Sequence, residues 1–404
     1  MSASVLYQLL GVYGYRVTKV QRDEGRALLH IEPQPHRVRC PECQGKNVIR
    51  RGEEVRWFRN LPIGQDCTWL IAKIPRVECR DCQLVRQIKI GFAEPRRGYT
   101  RSFERYVLEL SRYMTIKDVA VHLAVSWDIV KDIQKRHLVK RYSKPKLKKV
   151  KQIAIDEICI GKGYRYLTIV LDLKSGAILF VGEGIKAATL APFWKRLKAS
   201  QAKIQAVAID MSPAYEAAVT QHLPQAKIVF DRFHVVKLLN EKLTQLRREL
   251  HREATDMLKK EVLKGTRWLL LKRPENLDPK RNERQRLEEA LKLNESLAIA
   301  YYLKEDLRQV WEQPHKTAAK NYLTSWYLQA MESGVRVLQA FARTLLAHQH
   351  GILAWYDYPI STGPLEGTNN KIKTLNRQHY GLRDQHFFTL KLHQLHETKY
   401  ALVG

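Results

Sequence analysis

Ile153-Ala-Ile-Asp156-Glu-Ile-Cys-Ile160 and Ala206-Val-Ala-Ile-Asp210 decide the fold of this chain. Both are short apolar runs rich in β-branched residues, and each carries an aspartate. Outward from the first, the runs Tyr166 to Leu173 and Ala177 to Val181 follow Gly161-Lys-Gly163 and Lys174-Ser-Gly176 turns, so three consecutive antiparallel strands are expected. A helical stretch from about Thr189 to Ala199 leads into the Ala206 to Ile209 strand. A short helix and a fifth strand, Lys227 to Phe230, close the pattern.

The order β-β-β-α-β-α-β is that of an RNase H-like α/β core. From about Val235 to His350 the pattern turns almost wholly helical, with Leu243, Leu246 and Leu250 set among many charges. The ordinary reading of that stretch is a solvated helical bundle or a heptad-like pairing surface. Upstream, apolar runs such as Ala27 to Ile31 and Thr68 to Ile74 are broken by Gly, Pro and cysteines, as in a small β-rich module. The helical period takes over from Ser102 to about Tyr142, with Phe103, Tyr106, Val107 and Leu110 on one face, and ends in the basic linker SKPKLKKVKQ. The expected domains are residues 1–95 (β-rich, zinc-binding), 96–145 (helix-turn-helix), 146–235 (first part of the core), 236–355 (a long all-α insertion) and 356–404 (last part of the core).

A length of 404 residues suggests two to four such units, and 45% hydrophobic with 27% charged residues excludes disordered and fibrous classes. Lys and Arg number 70 against 41 acids, and a net charge of +29 asks for a polyanionic partner. No apolar run reaches the roughly 18 residues of a spanning helix, so nucleic acid is preferred over a membrane. The first residues, MSASVLYQLLGVYGYRV, lack a signal-peptide pattern, which predicts a chain kept in the cell interior with reduced thiols.

Cys40-Pro-Glu-Cys43 and Cys79-Arg-Asp-Cys82 are two CxxC pairs with 35 residues (44 to 78) between them. Each pair lets two thiolates of one tight turn reach the same ion, and two turns complete a tetrahedral zinc site. A β-hairpin carrying Val55, Trp57 and Trp69 fits between them in a zinc-ribbon-like or treble-clef-like unit, with a redox CxxC as the competing reading. Cys67 and Cys159 are read as small core residues.

Thr115 to Val130 has helix-turn-helix spacing, with Ala120 where the helices touch, Ala124 in the turn and Ser126 capping the second helix. Ile129 and Ile133 then face inward, leaving Trp127, Lys131, Lys135 and Arg136 for a major groove. An ordinary helical hairpin is the alternative.

Asp156 and Asp210 each end an Xaa-Ala-Ile-Asp run on strands that would be neighbours, which suggests a shared hard cation such as magnesium. A third ligand is expected on a later helix, and Glu366 fits, because Ser361-Thr-Gly-Pro-Leu-Glu366 reads as a turn opening a helix. Asp172, Glu157 and Asp231 are rival acids, and a surface charge or cap is the ordinary fate of any one of these residues.

The segments Ile155-Asp-Glu157, Ala208-Ile-Asp-Met-Ser212, Asp231-Arg-Phe-His234, Arg267-Trp-Leu-Leu-Leu-Lys-Arg-Pro-Glu-Asn276, Glu366-Gly-Thr-Asn-Asn-Lys-Ile-Lys373 and Tyr380-Gly-Leu-Arg-Asp384 resemble, in order and spacing, the motifs of the ISL-three family of bacterial insertion-sequence transposases. The paired CxxC and the helix-turn-helix match that family's N-terminal half, so the resemblance spans nearly the whole chain. It implies that Asp156, Asp210 and Glu366 are a DDE triad holding Mg2+ or Mn2+, beside a Zn2+ on Cys40, Cys43, Cys79 and Cys82. The 155 residues from 211 to 365 would then include the helical insertion.

The implied enzyme is a metal-dependent DNA nuclease and strand-transferase that binds terminal inverted repeats, cleaves at element ends and joins them to target DNA. Its partners would be double-stranded DNA and further copies of itself, as a homodimer or higher synaptic assembly in the cytoplasm at the bacterial nucleoid. Asn370, Lys371 and Lys373 would touch DNA beside the catalytic helix, unless they form a solvated basic face. Asp231 and His234 match a family motif without an assigned role, packing of the fifth strand being the alternative. Pro364-Leu365 before Glu366 is a mild departure from the pattern. The rival readings are a non-catalytic DNA-binding regulator derived from a transposase, against which three intact acids count, and a junction-resolving nuclease.

Overall fold

The computed structural model describes residues 10–161, 165–255, 257–292, 294–379 and 384–397. The Lys162-Gly163 turn and the Tyr380 to Arg383 part of the last motif lie outside the described residues. The chain divides into two compact units between Ser143 and Lys144.

In the first unit, β1 (Tyr15–Asp23), β2 (Arg26–Pro33), β3 (Val48–Arg59), β4 (Cys67–Cys79) and β5 (Val85–Gln87) form one sheet in the order β1-β2-β4-β3, with β5 also on β4. β4 is central, and its buried Leu70, Ala72, Ile74 and Val77 join Leu29, Ile31 and Phe58 in one core. β3 and β4 are the hairpin expected between the cysteine pairs, with Trp57 edge-on to Trp69 at 6.2 Å. Three capped helices follow. Thr100 accepts from the Phe103 amide at the start of Arg101–Leu110, and Thr115 with Asp118 forms a capping box on Ile116–His122. Ser126 accepts from the Ile129 amide at the start of Trp127–Tyr142. Their shared core is Phe103, Val107, Val119, Ala120, Val130 and Ile133, while Ile129 is only half-buried. Ala124 takes a left-handed φ of 49° in the turn, a conformation that a non-glycine residue adopts at some cost.

The second unit holds β6 (Gln152–Gly161), β7 (Arg165–Asp172), β8 (Ile178–Glu183), β9 (Ala206–Ile209) and β10 (Lys227–Phe230) in the order β10-β9-β6-β7-β8. β6, β7 and β8 are an antiparallel meander, and β9 and β10 run parallel to β6. Strand alternation gives the sheet two apolar faces. Ile153, Ile155, Val207 and Ile209 join the core that also contains Phe193, Tyr215 and Leu239. Ala154, Ile158 and Ala208 face Leu365, Ile372 and Leu375 of helix Gly363–Gln378, with Phe388 and Leu392 from helix Gln385–Gln394.

Between Arg232 and Tyr356 every regular element among the described residues is helical. Lys304, fully buried, donates to the carbonyls of Leu270 and Lys272 at 2.8 and 3.1 Å. It thereby satisfies the C-terminus of helix Arg267–Leu271, the core of the Arg267-Trp-Leu-Leu-Leu-Lys motif.

Candidate metal centres and nucleic-acid surface

The first cysteine pair precedes β3 and the second begins on the last residue of β4. Pairing of Val48 with Cys79 therefore brings both turns to one end of the ribbon. The turns repeat each other's geometry. The Cys40 amide donates to Gly45 O at 3.0 Å and the Cys79 amide to Leu84 O at 2.9 Å. Gln44 and Gln83, each just after a pair, have φ of 59° and 55°.

The four Sγ atoms all lie within 4.8 Å of one another, with Cys40–Cys82 and Cys43–Cys79 at 3.5 Å. A tetrahedral ion with zinc–sulfur bonds of about 2.3 Å needs sulfurs about 3.8 Å apart, so the donor set fits zinc. Charge points the same way. The backbone N–H of Cys43 leads in lowering the Cys40 thiol to about 7. Cys82 is pushed up to about 12 despite the Leu84 N–H, because burial and the neighbouring thiols resist a second thiolate. A divalent cation relieves that conflict.

In the second unit, the parallel pairing of β6 with β9 ends at Ala154 and Ala208, and Asp156 and Asp210 each follow two residues on. Pairing of Phe230 with Ile209 puts Asp231 level with Asp210. Both registers end before these aspartates, and Asp210 is close enough to Asp156 to act on its carboxyl. Asp210 follows β9 directly, as the sequence suggested. Asp156 instead lies inside β6, which runs on to Gly161 paired with β7 after β9 has ended.

Burial raises the Asp156 carboxyl above its ordinary value; the Glu157 N–H and His234 oppose the rise, Asp210 adds to it, and the Asn369 amide opposes it. Burial likewise raises Glu157, which accepts from Tyr215 Oη at 2.6 Å. The rival Asp172 sits opposite Ile153, nearer the start of β6, and accepts from Lys174 N and Ser175 Oγ within its own turn.

Glu366 is exposed in the first turn of helix Gly363–Gln378, where a carboxylate suits the positive end of the helix. Three residues on, Asn369 donates through Nδ2 to Asp156 Oδ2 at 3.1 Å, so the helix bearing Glu366 is anchored on the first aspartate. Asp231 fixes where that helix begins. It accepts from the Phe233 amide at 2.9 Å as the cap of helix Arg232–Glu253, and from both N and Oγ1 of Thr362. Packing and capping thus account for Asp231, whereas His234 Nδ1 and Asn369 Oδ1, both buried, have no hydrogen-bond partner among the described residues. Such atoms are costly to leave unmatched, and beside paired acids they suit a hydrated ion with phosphate oxygens. The acids are less tightly gathered than the thiols. Among the described residues, the cysteines are the one set of three or more metal-ligating groups within 4.8 Å.

On helix Trp127–Tyr142, Trp127 is exposed and Lys131 Nζ lies 5.6 Å from its ring centroid. Lys135 is half-buried on the same helix. Arg136 is taken up within the unit, pairing with Glu104 at 3.0 Å and Asp132 at 3.1 Å and donating to Tyr99 Oη at 2.7 Å. Asn370 and Lys373 are exposed and Lys371 half-buried on the helix that carries Glu366. The reading of the sequence missed the contacts of Asn369 and Thr362. The i, i+3 spacing of Glu366 and Asn369 was the available signal for the first, and nothing local marked the second.

The chain thus carries, in order, a cysteine-rich turn pair, a capped helix-turn-helix and a mixed sheet with aspartates on or just after its neighbouring strands β6 and β9. Family profiles agree in the same order: a zinc finger of the transposases of IS204, IS1001, IS1096 and IS1165 over residues 36–82, the helix-turn-helix domain of transposase family ISL3 over 88–138, and the ISL3 transposase domain over 153–392. The chain belongs to the ISL3 family of transposases. It is 33% identical to the transposase for insertion sequence element IS1001 of Bordetella parapertussis, over 97% of this chain and 98% of that one. It is 28% identical to the transposase for IS1557 of Mycobacterium tuberculosis, over 89% of this chain and 86% of that one. A Drosophila P element transposase strand transfer complex overlaps 66% of this chain and 81% of that one at 11% identity, but its TM-score of 0.32 is too low to argue from. No helix among the described residues is long and apolar enough to cross a membrane.

Proposed function

We propose that this transposase binds the terminal inverted repeats of its element through the first unit, cleaves DNA at the element ends and joins them to target DNA. The second unit is read as an RNase H-like core, whose meander-plus-two-parallel-strands order it shares, with the helices between β10 and Glu366 as an insertion. Asp156, Asp210 and Glu366 are its metal ligands and catalytic residues. The observation that carries the reading is the pairing of Ala154 with Ala208, which sets Asp156 and Asp210 on neighbouring chain segments, with Asn369 tying Asp156 to the helix of Glu366.

Magnesium or manganese bound there would polarise the phosphoryl group and generate a nucleophile from water or a 3′ hydroxyl. The residues of the chain would hold and orient. Asp156 and Asp210 present carboxylates from adjacent strands, Glu366 closes the site from the helix, and Asn369 keeps Asp156 aimed. Trp127, Lys131 and Lys135 are proposed to face the major groove of the end sequence, and Asn370, Lys371 and Lys373 the scissile strand. Two ends must be held together, so the working form is proposed to contain at least two copies.

Cleavage of a labelled end-containing duplex, beside a gel-shift control, tests the reading. Asp156→Ala, Asp210→Ala and Glu366→Ala should each lower cutting and joining by about a thousandfold or more, with double variants hardly worse, because such groups act as a unit. End binding should survive. Robust cutting by Glu366→Ala would move the third ligand elsewhere, and end binding without cutting by the unaltered protein would favour the regulator.

A further inference from the structure

The first unit has another concave feature, beside the first cysteine turn. A cavity of about 640 Å³ is lined by four cations, Arg37, Arg39, Lys89 and Arg101, together with His36 and Gln44, and by no aspartate or glutamate. They come from three segments: the turn Pro35–Arg37 and the stretch leading into Cys40, the chain after β5, and the first residue of helix Arg101–Leu110. Like charges gathered around one cavity repel one another, and apolar packing has no use for them there. An anion turns that repulsion into attraction.

Three of the four cations are held in place. Arg37 lies across two glycines: a Cβ on Gly14 would come within 2.3 Å of its Nε, and one on Gly91 within 3.7 Å of a terminal nitrogen. Gly14 also has a φ of 76°, so both backbone and space demand glycine there. Arg39 Nε donates to His36 O at 2.9 Å. Arg101 donates to Glu94 at 2.9 Å and to Gly91 O at 3.3 Å. Glu94 offsets one charge, and among the described residues Arg37, Arg39 and Lys89 form no ion pair. Side chains already ordered lose less entropy when a ligand arrives, which distinguishes this cavity from a fringe of mobile surface lysines.

We propose that this cavity binds a phosphodiester of the duplex DNA backbone, a second DNA contact of the first unit apart from helix Trp127–Tyr142. Guanidinium groups match phosphate oxygens two at a time, and the +29 charge of the chain draws a polyanion rather than a single small ion. The contact carries no sequence information; it fixes the register in which the recognition helix meets the bases. Because Arg39 adjoins Cys40 and Gln44 adjoins Cys43, the cysteine turn sets the shape of the cavity. The proposal rests on the reading that the first unit binds DNA.

The test uses the full-length chain and two fluorescent duplexes, one carrying the element end and one of arbitrary sequence, titrated over a range of salt. Arg37→Ala and Lys89→Gln should each reduce the slope of log K against log salt by about 1, and weaken both duplexes by the same factor. Lys131→Glu should instead erode the preference for the end. Zinc content is measured in every variant. If Arg37→Ala loses zinc, Lys89→Gln decides alone, since Lys89 is exposed. Slopes unchanged from the unaltered protein would overturn the cavity while leaving the DNA-binding reading intact. An unaltered protein with no preference for the end duplex would overturn that reading instead.

Discussion

Cys40, Cys43, Cys79 and Cys82 converge from two copies of one backbone turn, whereas Asp156, Asp210 and Glu366 come from a strand, the residue just after another strand, and a helix, far apart in sequence. The thiols form a closed set of four, all within 4.8 Å, which uses up a tetrahedral ion's coordination. The proposed ligand acids form an open set in which buried His234 Nδ1 and Asn369 Oδ1 have no hydrogen-bond partner among the described residues. A closed set can only complete a fold. An open one leaves room for water and phosphate, and the repulsion between Asp156 and Asp210 is tolerable because a cation and substrate are expected to enter. The comparison separates a centre that holds structure from one that the proposed chemistry would use.

The largest effect should come from emptying the closed set. Structural zinc contributes roughly 10–16 kcal/mol to the folding of small zinc domains, so a Cys40→Ser, Cys79→Ser double variant should lose about one zinc per chain and the cooperative melting of the first unit. The second unit should keep its own transition and, in the presence of magnesium, its metal-dependent cutting of any duplex presented at high concentration. Elemental analysis with calorimetry checks this, and retained zinc in the double variant would break the contrast.

Much of this was legible because strands and turns are local. β9 and β10 run over Ala206–Ile209 and Lys227–Phe230, as the apolar runs between turn residues predict. The double CxxC was legible for the same reason, since each turn carries two ligands. Asn369 on Asp156 and Thr362 on Asp231 were not, because those contacts join residues 213 and 131 positions apart. Arg136 read as a groove-facing cation, yet Asp132 one turn before it and Glu104 from another helix occupy its guanidinium. A pairing partner at i−4 was visible in the sequence; the partner from the other helix was not.

A medium effect should come from the link between the helix and the strands. Asn369→Ala removes the donor to Asp156 without removing a carboxylate, so it tests how far the open set depends on groups that aim its ligands. Partners of metal ligands typically matter about 10- to 100-fold. Cutting should fall by that factor, with a higher magnesium concentration needed for half-maximal rate and partial recovery in excess magnesium. A loss that magnesium leaves untouched would assign Asn369 to packing.

The smallest effect concerns stability, and it has the opposite sign. Burial, with help from Asp210, raises the Asp156 carboxyl, so the folded chain holds its proton more tightly than the unfolded chain does. Stability from this group is therefore full at acid pH, below the ordinary carboxylate range near about 4, and is lost as pH rises through the raised value. Ionised Asp156 opposes folding at neutral pH when no metal is bound. Asp156→Asn keeps the shape and an acceptor for Asn369 but carries no charge. In magnesium-free buffer at neutral pH it should melt higher in the second unit by roughly 2–4 °C, the shift that about 1 kcal/mol gives a domain of this size. The gap should close as pH falls below about 4, where the Asp156 carboxyl is protonated in the folded and the unfolded chain alike. Magnesium should also narrow it by stabilising the unaltered protein alone, since only that protein has the full ligand set. Melting temperatures across pH, with and without magnesium, check all three arms together. A variant no more stable than the unaltered chain at neutral pH would mean that Asp156 carries no strain, and the open set would lose its main physical distinction from an ordinary row of strand acids.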